Sequence, residues 1–177
     1  MMYKLRIKYA KKDSLRFLSH LEVIRTLERA SRRAKLPLAF TQGFSPHPRI
    51  SFGPPLSVGI GSQTEYADLI LTTEFSPGEA LRSLNQSLPQ GFEVLAAKCL
   101  MASSPSLTEI INLAIYEVTV RGTFSPTKFG RWLKSFFSQD EFLVERQLKD
   151  KVTSFNLFGR LISLEGERLT AESLFFK

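Results

Sequence analysis

The sequence predicts an α+β fold, and three observations carry that expectation. A strand-like alternation opens the chain, two helical stretches carry legible start signals, and strand-like runs separate them in the order β-α-β-β-α-β. That order matches a ferredoxin-like sandwich. A second, partial ferredoxin-like unit is expected after it.

Each element has a local reason. Tyr3–Tyr9 alternates Tyr3, Leu5, Ile7 and Tyr9 with Lys4, Arg6 and Lys8, the period of a half-buried strand. The first helix has Ser19 as its cap and Glu22 three residues on, a capping box, with Leu18 and Val23 placed as a hydrophobic staple. Pro37 stops it. Short strand-like pieces follow at 38–41 and 49–52, and a longer one at 66–73. Between the short pieces lies Gln42-Gly43-Phe44-Ser45-Pro46-His47-Pro48, whose glycine and prolines forbid a regular element. A second helix is expected from Ser76-Pro77-Gly78-Glu79, another capping box with proline at the first helical position. A strand at 91–98 closes a first domain of residues 1–100.

Residues 101–109, with their Ser and Pro, read as a linker, and 110–177 as the partial second unit. The reason is an internal repeat: Phe75-Ser76-Pro77 is matched by Phe124-Ser125-Pro126, 49 residues later, each between a strand-like run and a helix. The second unit is expected to hold a strand at 114–121, a helix at 126–137 and strands near 142–148 and 155–164. The stripe Phe129, Trp132, Leu133, Phe136 reads as core rather than as a base-stacking platform.

Composition narrows function by exclusion. The chain has 177 residues, a net charge of +7, two His and one Cys. A zinc ribbon or a Cys-ligated iron–sulfur cluster cannot be assembled from it alone, and Cys99 has no disulfide partner. No metal or other cofactor is expected. No apolar run approaches the roughly 18 residues of a membrane span, and the charged, alternating start is unlike a signal peptide. A cytoplasmic protein without membrane contact is expected.

The charge is concentrated. Residues 1–50 carry twelve Lys/Arg against three Asp/Glu, more than the whole net charge, whereas residues 51–100 carry two against five. Such asymmetry points to a polyanion, with a merely solvated basic face as the alternative. On the first helix, Val23, Ile24, Leu27, Ala30, Ser31 and Ala34 fall within about 120° of each other. Arg25, Arg29, Arg32 and Arg33 fall within about 100° on the other side. Like charges at this spacing repel unless something anionic neutralises them, and arginine suits bidentate phosphate contact. Pairing with Asp or Glu of a neighbouring element is the competing explanation. Lys11, Lys12, Arg16, Ser19 and Arg49 extend the candidate anion-binding set around the helix N-terminus and the loop. His20 and His47 are the candidate catalytic residues, as an acid–base pair for RNA cleavage or as two metal ligands. Two His without a third fixed ligand are a weak metal signal.

These residues also carry a resemblance. The run RFLSHLEVIRTLERASRRAKLPLAFTQGFSPHPRISFGPPLSVGIGSQTEY closely resembles the radical SAM-linked protein family, a bacterial domain of unknown function. Arg16, Phe17, Ser19, His20, Leu21, the four helix arginines, Pro37, Gly43, Phe44, Pro46, His47, Pro48, Pro55, Leu56, Gly59 and Glu65 match its pattern. Glu22 stands for the usual Asp and Ser45 for the usual Asn, both conservative of cap or turn chemistry. The likeness is strong over about residues 3–75 and weak beyond. It implies a domain fused to, or encoded beside, cobalamin-binding radical SAM proteins, in a family whose members occur near genes for ribosomal proteins and an RNA-processing ribonuclease. It implies no activity, and the chain lacks the Cys-x3-Cys-x2-Cys run of a radical SAM enzyme.

Three functions follow as expectations. The first is a non-catalytic RNA-binding module that presents RNA to a radical SAM partner, its Arg helix on phosphate and its loop on a base or the partner. The second is an RNA-processing enzyme using His20 and His47. The third is a protein-interaction domain whose Arg face meets an acidic patch.

Overall fold

The computed structural model describes residues 2–121, 126–148, 151–170 and 173–176. The chain divides into two compact units, Met1–Asn112 and Leu113–Lys177.

The first unit is α+β, built on a four-stranded antiparallel sheet. β1 (Tyr3–Lys11), α1 (His20–Arg33), β2 (Ile50–Phe52), β3 (Ser62–Leu71), α2 (Pro77–Ser87) and β4 (Phe92–Leu100) follow in order, and a 3-10 turn at Asp13–Phe17 links β1 to α1. The strand order is β2-β3-β1-β4. Alternation on β1 does what period two requires: Leu5, Ile7 and Tyr9 are buried with Leu69, Leu71 and Val94 in one core. Helix α1 covers that core with Val23, Leu27, Ala30 and Ser31, all buried, and α2 adds Ala80 and Leu84.

The start of α1 is as the sequence predicts. Ser19 Oγ accepts from Glu22 N–H, and the Glu22 carboxylate accepts from Ser19 N–H at 2.7 Å. Helix α2 begins at Pro77 as expected, but Ser76 makes no side-chain cap bond. Its far end is tied to β4 by Asn85, whose amide donates to Val94 O at 2.9 Å and whose Oδ1 accepts from Val94 N–H at 2.8 Å. This clamp sits at a bulge, where β1 residues Lys8 and Tyr9 face Ala96 and Val94.

The stretch 101–109, expected as a linker, packs on this sheet. Lys4 Nζ donates to Ser104 O at 2.6 Å and Arg6 Nη2 to Pro105 O at 2.9 Å. A short helix α3 (Leu107–Ile110) follows, with Leu107 buried and Glu109 accepting from Ser106 N–H at 2.9 Å. The strap crosses the sheet face that carries Lys4, Arg6 and Asp68. There Arg6 holds the buried Asp68 through Nε–H to Oδ1 at 2.7 Å and Nη2–H to Oδ2 at 2.8 Å. The boundary between the units falls after Asn112.

In the second unit, β5 (Val118–Arg121) is shorter than the expected 114–121, and α4 (Pro126–Phe137) has the expected bounds. β6 (Leu143–Leu148) pairs with β7 (Lys151–Asn156) in a two-stranded sheet, and β5 pairs with β9 (Ser173–Phe176), which pairs with β8 (Gly166–Thr170). The strand expected at 155–164 is therefore displaced. Leu148 pairs directly with Lys151, which fixes the register of the pair, and residues 157–161 form a turn closed by Arg160 N–H to Leu157 O at 2.9 Å. Phe136 is buried, with its ring centroid 5.0–5.5 Å from those of Trp132, Phe142 and Phe158. Trp132 is 50% exposed and Leu133 only partly buried, so of the expected core stripe Phe136 alone is buried among the described side chains. Phe124, Ser125 and the Phe129 side chain lie outside the described residues.

Candidate nucleic-acid interface

Arg25, Arg29, Arg32 and Arg33 are all exposed, because α1 turns its apolar stripe to the sheet and this face away from it. Only two ion pairs form among the described residues, Arg6–Asp68 and Lys12–Glu93. None of the four arginines has a carboxylate within 4.0 Å there. Glu22, three residues before Arg25, is engaged by Ser19, and those hydrogen bonds, with a smaller attraction from Arg25, hold its carboxyl below the ordinary carboxylate range. Arg33 Nη2 donates to Ser87 O at 2.6 Å, which anchors it at the C-terminal end of α2. Thr26, Arg29, Arg33, Ser87, Leu88 and Pro89 line an open groove there.

The loop 42–48 is the tip of a short hairpin. Leu38 bridges Leu71 and Phe40 bridges Pro48. Thr41 N–H donates to His47 O at 2.9 Å, and His47 N–H donates to Thr41 Oγ1 at 3.0 Å. Gly43, at φ +123°, makes a turn that a side chain would strain. Gln42, Ser45, Pro46 and His47 are exposed, and Phe44 is fully so. The Arg32 guanidinium lies 5.6 Å from the Phe40 ring centroid, which joins the Arg helix to the base of this hairpin. Arg49, also exposed, points Nη1 at Met2 Sδ, 3.3 Å away.

The remaining candidates separate. Arg16 is exposed and stacks over Phe17 at 4.8 Å. Lys12 is paired with Glu93 at 3.1 Å on the surface, and Ser19 is spent on its cap. Lys11 is a correction: it is 2% exposed, because the end of β1 runs beneath α1 and beside β3, so it is not a surface phosphate contact. His20 and His47 are joined by no contact among the described residues. His20 sets its ring edge-on to Phe52 at 5.5 Å, whereas His47 is held by Thr41 in the hairpin.

His20 instead lines a cleft with Tyr9, Lys11 and Glu65, a grouping that sequence spacing did not reveal. Burial pushes the half-buried Glu65 carboxyl up, opposed by a Ser62 hydrogen bond and by Lys11. Burial lowers Lys11, opposed by Glu65, and raises the Tyr9 phenol. Among the described residues no three His, Cys, Asp or Glu converge as metal ligands would. No helix among them is long and apolar enough to cross a membrane.

The family model for an uncharacterized protein conserved in bacteria, DUF2344, matches residues 4–176. The chain belongs to that family. The match spans both units, so the Arg helix, the hairpin and the cleft all lie within the matched residues. No curated protein matches the chain.

Proposed function

We propose that this member of the family is a non-catalytic RNA-binding accessory module, acting in the cytoplasm with a radical SAM partner in RNA modification or processing. One observation carries the RNA half: four exposed guanidiniums on one helix face without a carboxylate partner among the described residues. Uncompensated cations at this density favour a polyanionic partner, and the fully exposed Phe44 offers an aromatic face for an unpaired base. The strap over the sheet directs this reading to α1 and the hairpin rather than to base stacking on an open sheet face. The radical SAM half rests on the sequence resemblance. The strand order β2-β3-β1-β4 supports reading the first unit as ferredoxin-like. Helices opening at Pro77 and Pro126, each after a strand, support the repeat.

A protein-interaction domain is the second reading, favoured by Phe17, Leu21 and Val58, which are each about 60% exposed. An enzyme built on His20 and His47 has less support, since nothing brings the two imidazoles together. The test is to purify the tagged protein at low salt and sequence the nucleic acid retained. The proposal expects a defined RNA population released by salt. Clean protein that captures only a protein partner, independently of salt, supports the second reading.

A further inference from the structure

We infer that the cleft between Lys11 and Glu65 is a hydroxyl pocket that takes a ribose 2′-OH, so that the protein discriminates RNA from DNA. The inference rests on the RNA-binding reading above and goes beyond it by assigning the sugar a recognition site.

The wall chemistry selects the ligand. Lys11 is 2% exposed, and its ammonium has neither a hydrogen bond nor a carboxylate within 4.0 Å among the described residues, although it lines the cleft. An ammonium group donates only, so a group that accepts from it is favoured there. Glu65 stands half-buried in the same cleft and, ionised, accepts only. The free volume is about 20 Å³, enough for one water-sized group. That group must accept from Lys11 and donate to Glu65. A phosphate oxygen accepts but meets the carboxylate, and an ammonium or guanidinium donates but meets Lys11. A hydroxyl does both.

Its surroundings fit a sugar flanked by phosphates. A Cβ built at Gly61 would lie 3.3 Å from Lys11 O and 4.0 Å from Arg16 Cβ, so the exposed Arg16 is rooted beside the cleft. His20 opens α1 at the cleft edge, on the helix that carries the four arginines. Burial weakens both charges, lowering Lys11 and raising Glu65, which suits a neutral guest. The 2′-OH is the donor-acceptor group that distinguishes RNA from DNA.

Fluorescence anisotropy tests this with three single strands of one sequence, about twelve nucleotides long: RNA, DNA and 2′-O-methyl RNA. The methylated strand keeps the ribose but loses the O–H and exceeds a one-water site, so no protein variant is needed. RNA is expected to bind about tenfold more tightly than either of the others, with the same salt slope. Glu65→Gln is expected to narrow the gap between RNA and DNA to about twofold. Equal, salt-sensitive binding of all three strands overturns the pocket and leaves the phosphate reading intact. No salt-sensitive binding of any strand overturns both.

Discussion

Arg32 sits over the Phe40 ring at 5.6 Å, and this contact makes one surface of two segments that the sequence presents separately. The C-terminal turn of α1 and the hairpin carrying Phe44 and His47 share it. An arginine that stacks on an aromatic ring keeps its outward N–H groups for a second partner.

Arg32→Ala should loosen the hairpin without unfolding the unit. An exposed cation–π contact is worth roughly 0.5–1 kcal/mol. The amides of Thr41 and His47, which close the hairpin, should exchange hydrogen faster, while the melting temperature moves little. Unchanged exchange at both amides would show that the backbone bonds alone hold the loop.

Leu27 and Arg25 lie two residues apart on α1 but face opposite ways, Leu27 fully buried and Arg25 exposed. Leu27→Ala should cost about 2–5 kcal/mol in urea unfolding. Arg25→Ala should stay within about 0.5 kcal/mol. A large loss in the arginine variant would mean that this face is structural.

Asp68 is 1% exposed and its carboxylate is forked onto Arg6. Asp68→Ala strips that partner from Arg6 beneath the 104–110 strap and should destabilise by about 3–5 kcal/mol. The same unfolding measurement checks it, and a change below about 1 kcal/mol would mean that water replaces the carboxylate.

The Ser19–Glu22 box gives the first unit an acid-sensitive helix start. Glu22 is held below its ordinary pKa by Ser19, so its ionised form stabilises the fold above the unfolded pKa. That stabilisation is lost as pH falls through the lower, folded value. Glu22→Gln should flatten this part of the acid limb in a pH series of thermal melts, lowering the melting temperature at neutral pH and converging on the wild type in acid. Ser19→Ala should cost about 1 kcal/mol at neutral pH. Superimposable acid limbs would deny the box a role in stability.

What was legible in the sequence was local. The Ser19–Glu22 box needs only residues three apart, and it formed. The apolar stripe from Val23 to Ala34 needs only helical geometry, and its central residues are buried. Ser106 and Glu109 carry the same box signature, but reading 101–109 as a linker hid it; the acceptors for Lys4 and Arg6 are backbone carbonyls about a hundred residues away. Lys11 is grouped with the surface cations by its charge and its place before the helix terminus, although it continues the inward parity of Tyr3, Leu5, Ile7 and Tyr9. Its cleft is assembled from β1, α1, β2 and β3, a long-range arrangement. The β6–β7 register escaped for a related reason: the pairing of Leu148 with Lys151 set it, not the apolar run at Phe155.

The central claim is that the Arg face of α1 binds RNA phosphates, and a salt titration of binding to a single-stranded RNA tests it most directly. With Lys11 buried and Lys12 paired, Arg16 and the four helix arginines leave about four to five phosphate contacts, so the log–log slope should be roughly −3. Replacing both Arg25 and Arg29 with Ala should reduce its magnitude by about 1–1.5 while the fold stays intact. A flat salt dependence, or a double variant that binds with the wild-type slope, would contradict the account and leave this helix face without a role on RNA.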